Sequence, residues 1–400
     1  MAETPWLSII GLGEDGPEGL NAASRKALEA AEIVMGPPRH LGLLPAQTAQ
    51  TRIEWPVPFA DGIAQLLELR GRKVAVLASG DPFWFGAGSV LTKRLSSDEW
   101  LAFPGASSFS LAASRLGWPL ENTHCLGLHA APLERLRGHL ATDAKLLMTL
   151  RDGNTVQALA GYLSDQGFGQ SRITVLECLG GPRERRREFA ADAPIPDDIQ
   201  HPVLAAVEIA GDGISLSLAS GRSDDLFEND GQITKRPARA LTLSALAPRH
   251  DEHLWDIGGG SGSISIEWLL THPSLQATIV EANRDRADRI RRNAKSLGVD
   301  RLQVVEGKAP EALDTLPLPN AVFIGGGLSE ALLQKLTNDL PSGTRIVANA
   351  VTLESESLLV QWHGKLGGDL LRIDLSSLAS IGPKRGWKAA YPLVQWSVTL

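Results

Sequence analysis

This chain switches repeatedly between short apolar runs and longer segments of helical periodicity, with glycine or proline at most of the switches. Short runs rich in Val, Ile and Leu read as buried strands, and the periodic segments between them read as amphipathic helices. In the first half this places strands at 7–11, 74–78, 146–150, 173–176 and 203–209, with helices at 18–30, 87–95, 108–115 and 155–165. In the second half it places seven strands, at 254–257, 278–281, 302–306, 321–324, 345–348, 370–375 and 393–399. Helices at 264–270, 284–297, 328–340 and 353–366 separate most of these. Such alternation specifies α/β domains with largely parallel sheets. The last two strands have no helix between them, which predicts an antiparallel edge on the second sheet. They are joined by a loop long enough to cover a site.

Four hundred residues exceed what one ordinary core accommodates. Between Gly211 and Gly231 the chain turns polar and rich in Gly, Ser and Asp. The expected organisation is therefore a domain over 1–212, a linker over 213–228 and a second domain over 229–400. The net charge of −7 and pI near 5.8 argue against a nucleic-acid partner. Cys125 and Cys178 are too few for a disulfide framework and read as small buried residues in a reducing compartment. The N-terminus lacks a signal pattern, and no apolar run approaches the roughly 18 residues of a membrane span. A cytosolic protein with no membrane partner is expected. None of the nine histidines forms a pair at metal-ligand helix spacing, so no metal site is expected.

The two halves carry unlike glycine motifs and are not a duplication. In the second half, the strand at 254–257 runs into Asp256-Ile-Gly258-Gly-Gly260-Ser-Gly262 and then a helix. Glycines there permit a tight turn and let a ligand lie against bare amides at the helix start. The dinucleotide fingerprint requires glycine at 263, where this chain has Ser263. The spacing instead resembles that of class I methyltransferases. That resemblance implies that Glu281, closing the next strand, grips the ribose hydroxyls of S-adenosylmethionine, and that Gly307, Lys308 and Ala309 lie along its adenine. The family usually has an acidic residue where Lys308 stands. Gly325, Gly326 and Gly327 end the fourth strand, where the transferred methyl would sit; they read either as an opening for close substrate approach or as a tight turn. The runs Gly231-Gln-Ile-Thr234-Lys235, Ala240-Leu-Thr-Leu-Ser-Ala-Leu-Ala-Pro248 and Ser261-Gly-Ser-Ile-Ser-Ile-Glu267-Trp268 resemble the precorrin methyltransferases that carry out decarboxylation. The likeness covers roughly 229–400 and places Thr234 and Lys235 beside the active site, with Lys235 read either as a substrate contact or as a surface lysine.

In the first half, Ile9-Ile-Gly-Leu12-Gly13, Leu77-Ala-Ser-Gly80-Asp81-Pro82 and Phe103-Pro-Gly105-Ala-Ser107-Ser108 resemble the tetrapyrrole methylase family. Proline fixes the turn, glycine permits close approach, and the aspartate caps or orients a ligand group. No carboxylate follows the second strand, so the ribose grip is absent here. This agrees with the resemblance, which implies a cofactor cleft between two α/β lobes lined by Leu12, Gly80, Asp81, Pro82, Trp84, Ser107, Ser108 and Met148. The family often has proline after the first glycine pair, where this chain has Glu14-Asp15-Gly16. Arg183, Arg185, Arg186 and Arg187 form a basic cluster that reads either as a site for substrate carboxylates or as a solvated charge run. Lys384 and Arg385 form a second such pair.

Together the resemblances imply an N-terminal two-lobed tetrapyrrole methylase fold joined to a Rossmann-like class I methyltransferase with a seven-stranded sheet. Two S-adenosylmethionine molecules per chain, a precorrin tetrapyrrole substrate and a homo-oligomeric assembly are expected. Each half would methylate a meso carbon, and the second would also release carbon dioxide from a ring acetate. The nucleophile is the electron-rich macrocycle itself, and the residues do not identify a proton donor. Two alternatives stay open: a methyltransferase acting on another substrate, and a fusion with one inactive half.

Overall fold

Near-continuous apolar runs such as Leu7–Leu12 and Val74–Ser79 belong inside parallel sheets, where helices cover both faces of a strand. The computed structural model describes residues 5–46 and 49–400. The chain forms two compact units, Met1–Leu133 with His139–Ile214 and Glu134–Gly138 with Ser215–Leu400.

The first unit holds two five-stranded sheets. One is wholly parallel and contains β1 (Leu7–Leu12), β2 (Ile33–Gly36), β3 (Thr51–Glu54), β4 (Val74–Ser79) and β5 (Trp100–Phe103), in the order β3-β2-β4-β1-β5. The other contains β6 (His124–Gly127), β7 (Lys145–Leu150), β8 (Arg172–Glu177), β9 (Arg185–Ala190) and β10 (Val203–Glu208), in the order β6-β7-β10-β8-β9. Here only β6 and β7 pair in parallel. Each sheet forms one lobe, as the resemblance implies.

The second unit contains β11 (His253–Ile257), β12 (Gln276–Glu281), β13 (Gln303–Glu306), β14 (Ala321–Ile324), β15 (Arg345–Ala350), β16 (Asp369–Ile373), β17 (Ser376–Ile381), β18 (Lys384–Ala389) and β19 (Leu393–Thr399). Seven of them build the expected sheet, in the order β13-β12-β11-β14-β15-β19-β16. The antiparallel strand is not at the edge: β19 inserts between β15 and β16 and runs opposite to both. The segment expected as a covering loop is mostly the separate hairpin β17–β18. Its alternation was weak because both of its faces are largely exposed. Ile279 and Phe323 on one face of the large sheet are 0% and 2% exposed, and Leu243 of the helix Arg236–Leu246, in the same core, is 1% exposed. Each such burial contributes about 1.5–3 kcal/mol.

Two expected helices are shorter than their patterns. Residues 18–30 resolve into a 3-10 turn at Gly16–Gly19 and a helix at Ala22–Ala30, because Asn21 caps the latter by accepting the Ser24 N–H at 2.9 Å. Residues 87–95 form a helix only at Gly88–Leu91, followed by a 3-10 turn. Among the described residues no helix is long and apolar enough to cross a membrane.

Candidate functional site

Two cavities lie at the carboxyl ends of the strands, one in each unit. The first is about 600 Å3 and opens between the two lobes of the first unit. Its floor is made by three strand-end loops whose backbones touch. The Gly80 N–H donates to the Leu12 carbonyl at 3.2 Å, and the Gly105 N–H donates to the Gly80 carbonyl at 3.0 Å. A Cβ on Gly11 would lie 1.7 Å from the Gly80 oxygen, so the motif glycines are demanded first by each other. Gly80 also holds φ +52°, a left-handed conformation that favours glycine. Asp81 Oδ1 accepts the Phe83 N–H at 2.8 Å, and Ser107 caps the helix Ser108–Leu116.

Leu12, Gly80, Asp81, Trp84, Ser107 and Ser108 all line this cavity. Pro82 and Met148 do not. Pro82 turns the chain behind the wall, its carbonyl accepting the Gly88 N–H at 2.9 Å. Met148 is 0% exposed inside the sheet, and its neighbours Thr149 and Leu150 face the space instead. The structure adds groups the motifs did not single out: Arg39, His40, Phe85, His129 and His201. Glu14, which stands where the family often has proline, is 7% exposed and pairs with Arg39 and, at 3.4 Å, with Arg183. Burial, with the adjacent Arg39 charge, pushes His40 down to about 3, so it is neutral at physiological pH.

The remaining arginines of the basic cluster are committed to protein carboxylates. They lie on β9, a sheet-edge strand whose alternate residues face inward. Arg185 and Arg187 both bind Glu177 and Asp198, and Arg186 binds Glu188. The charges read equally as a blunted sheet edge.

The second cavity, about 650 Å3, lies over the ends of β11, β12, β13, β14 and β15. Gly258, Gly260, Glu281, Gly307, Lys308, Ala309, Thr234, Lys235, Gly325, Gly326 and Gly327 all line it. Two of these glycine loops fit against each other, since a Cβ on Gly258 would lie 2.7 Å from the Gly326 backbone. Glu281 is 5% exposed; its carboxylate accepts the Gly260 N–H at 3.0 Å and the Asn283 N–H at 2.9 Å. Asp256 and Gly262 lie behind the wall. Asp256 is 1% exposed and accepts the Ser265 hydroxyl at 2.8 Å, and burial pushes its carboxyl up to about 6. Gly262 opens the helix Ser263–Thr271 at φ +77°. Lys384 and Arg385 sit exposed on β18, outside the cavity lining.

Thr234 and Lys235 reach the cavity because a buried ionic network holds their segment down. Arg239, 0% exposed, donates to Glu267 at 2.6 Å, to Asp224 at 3.0 Å and to the Thr234 carbonyl at 2.5 Å. Glu267, also 0% exposed, accepts the Gly221 and Arg222 N–H groups at 2.7 and 2.9 Å. The signal for Arg239 was present in the sequence: it falls on the apolar face defined by Thr242, Leu243 and Leu246. The same network ties Gly221 and Arg222, inside the stretch expected as linker, into the second unit, and Phe227 there is 3% exposed. Asn349 is a further lining residue, fixed by Thr242 at 2.8 Å and by Gln395 at 3.0 Å.

Comparison with known proteins gives the following. The family described as Tetrapyrrole (Corrin/Porphyrin) Methylases matches residues 7–192, and the Precorrin methyltransferase domain matches residues 225–400. A precorrin-6Y C(5,15)-methyltransferase [decarboxylating] of a Sinorhizobium species is 48% identical over 99% of this chain and 97% of its own. A protein of the same name from Mycobacterium tuberculosis is 38% identical over 98% of this chain and 99% of its own. A cobalt-precorrin-6B C(15)-methyltransferase (decarboxylating) of Salmonella typhimurium is 31% identical over 42% of this chain and 91% of its own.

Proposed function

This chain belongs to the precorrin-6Y C(5,15)-methyltransferase (decarboxylating) family, and we propose that its two cavities divide that reaction between them. The enzyme is an S-adenosylmethionine-dependent C-methyltransferase of cobalamin biosynthesis. The first unit methylates C5; the second methylates C15 and releases carbon dioxide from the ring-C acetate. Each cavity takes one S-adenosylmethionine, two per chain. The single observation that carries this reading is the pair of separate cavities, each lined by one of two unlike glycine motifs. A relative that matches only 42% of this chain bears a name with C15 methylation and decarboxylation alone, which supports one unit sufficing for that half of the chemistry.

The bound sulfonium supplies an electrophilic methyl group, so the protein must chiefly align and desolvate the reactants. The residues present fit such a ligand. In the second cavity, Glu281 is already held rigid by two backbone amides and still has lone pairs for the ribose hydroxyls. In the first, the close packing of Gly11, Gly80 and Gly105 brings three strand-end loops together, and Leu12, Gly80 and Ser107 of those loops line the space. Gly325, Gly326, Gly327, Thr234 and Lys235 face the substrate in the second cavity, and Arg183 pairs with Glu14 of the first cavity's lining. The two free cysteines suit a reducing, cytosolic location.

Calorimetry on the full chain should find two equivalents of S-adenosylmethionine. Glu281→Ala should remove one, and a single equivalent in the wild type would favour a fusion with one silent half. Asp81→Ala should yield a singly methylated, decarboxylated product. Gly260→Leu should block both the C15 methyl and carbon dioxide release, because the side chain would enter the space against Gln232, whose carbonyl lies 3.1 Å from the new Cβ. Carbon dioxide release surviving in Gly260→Leu would reverse the assignment.

The assembly is a homo-oligomer formed through the hairpin β17–β18. Leu378 and Trp387 are cross-strand partners on one face and are 58% and 76% exposed. A lone two-stranded hairpin is marginally stable in water and gains from a covered apolar face. Sedimentation should show Trp387→Asp at a lower mass than the wild type, and an unchanged mass would remove the hairpin as the contact.

A further inference from the structure

We infer that His129 is the proton acceptor of the first cavity, taking the proton that leaves the carbon methylated there. The inference rests on the reading that the first unit places the C5 methyl. When a conjugated carbon attacks a sulfonium methyl, a C–C bond forms and the S–CH3 bond breaks, its electron pair leaving with the thioether. The carbon then bears both its hydrogen and the methyl. Loss of that hydrogen as a proton returns the electron pair to the macrocycle, and a base must receive it. In the second cavity the account closes differently. Carbon dioxide leaves the acetate with its bonding pair kept by the arm, and the arm takes up one proton while the methylated carbon gives one up. The first step therefore releases a net proton and the second does not.

The histidines are distributed accordingly. Of the nine in the chain, His40, His129 and His201 line the first cavity and none lines the second. His40 is 1% exposed, and its Nε2 is engaged by Arg39 at 2.8 Å and Ser79 at 3.2 Å, so it cannot meet a substrate carbon. The His201 ring has no hydrogen-bond partner among the described residues to set its tautomer. His129 is both reachable and oriented. Its Nδ1 lies 3.2 Å from the Thr149 hydroxyl, and donation from Nδ1–H to that oxygen leaves the Nε2 lone pair open.

The wall beside it is shaped for a flat ring. Phe85 holds φ +54°, an unusual conformation for an aromatic residue, and a Cβ on Gly127 would lie 2.7 Å from the Phe85 ring. Phe85 is thus laid against the end of β6, two residues from His129, while staying 50% exposed. Together with Trp84 it offers an aromatic surface on which a macrocycle stacks. Burial holds the His129 imidazole below its ordinary value, so it is an uncharged base at neutral pH. The charged group beside it is Arg151, whose Nε donates to the His129 carbonyl at 3.4 Å. Across the cavity stand Glu14, Arg39, His40, Asp81 and His201.

The test compares full-length His129→Gln with the wild type, reading each methyl by NMR with a labelled donor and carbon dioxide by mass spectrometry. The C5 step should slow by about 100-fold, at the low end for a general base. The KM for tetrapyrrole and the calorimetric affinity for S-adenosylmethionine should stay within threefold. The wild-type C5 rate should fall at low pH as the imidazole protonates, with a midpoint matching the His129 titration followed by NMR, and that limb should vanish in His129→Gln. Thr149→Val, which keeps the imidazole and removes its anchor, should lower the C5 rate and move the limb. A C5 rate within threefold of wild type, or an acid limb that persists without His129, overturns the assignment. Loss of the C15 methyl or of carbon dioxide release in His129→Gln would instead overturn the division between the units.

Discussion

Asp256 shows how one residue serves geometry at a cost to stability. It lies at the end of β11 behind the glycine loop, its Oδ2 held by Ser265 and its Oδ1 without a hydrogen-bond partner among the described residues. Its carboxyl rises from 3.8 to about 6 in the folded chain because burial disfavours the charge, with the nearby Glu281 charge adding to it. The native state therefore keeps a proton that the unfolded chain releases. The contribution of Asp256 to the second unit's stability is fully present below about pH 4 and is lost as pH rises to about 6, by roughly 3 kcal/mol at 1.36 kcal/mol per unit. Asp256→Asn should flatten that loss, and denaturation of the second unit followed from pH 4 to pH 7 measures it. A wild-type curve that shows no loss relative to Asp256→Asn across the window would refute the buried-proton account. Position alone announced Asp256, at the end of an apolar strand before glycine, but its burial and missing partner are properties of the folded loop.

Elements explain what motifs leave open. The helix Arg236–Leu246 carries Arg239 into the core, where its guanidinium pulls the Gly221–Arg222 turn and the Thr234 carbonyl onto one anchor. Removing one partner of such a buried pair costs about 3–5 kcal/mol, because the other charge stays behind unpaired. Arg239→Met should therefore lower stability by about that much and raise the KM for tetrapyrrole, since Thr234 and Lys235 lose their hold over the cavity. Adding Glu267→Leu should restore much of the stability while the raised KM persists, which separates anchoring from folding. A normal KM in Arg239→Met would show that the segment holds itself in place. The strands β3, β5 and β6 escaped the sequence reading because they are short, partly exposed sheet edges without the continuous apolar run that marks the equally short β14. β9 escaped because Arg-Arg-Arg-Glu looks like a loop until Glu177 and Asp198 are placed against it.

At the scale of the molecule, two units imply a protease-sensitive junction. Residues 212–220 are mostly exposed, whereas Gly221 and Arg222 are buried against Glu267. Limited proteolysis should cut within 212–220 and leave two compact fragments. Dominant cleavage between Arg222 and Phe227 would contradict the packing of that stretch in the second unit.

The chain's sequence determined the two α/β halves, the seven strands of the second sheet, and the loops that bear the cofactor motifs, because glycine spacing and apolar periodicity are local properties of consecutive residues. The resemblance of those loops to known methylases determined the chemistry. Only the tertiary structure decided that β19 inserts inside the sheet, that Gly11 is required by Gly80 and Gly258 by Gly326, and that the arginines of β9 are occupied by carboxylates. It likewise decided where His129, Glu14 and Arg239 are held, since each is fixed by partners distant in the chain, and charge and hydrogen-bond partners at long sequence separation leave no periodic trace.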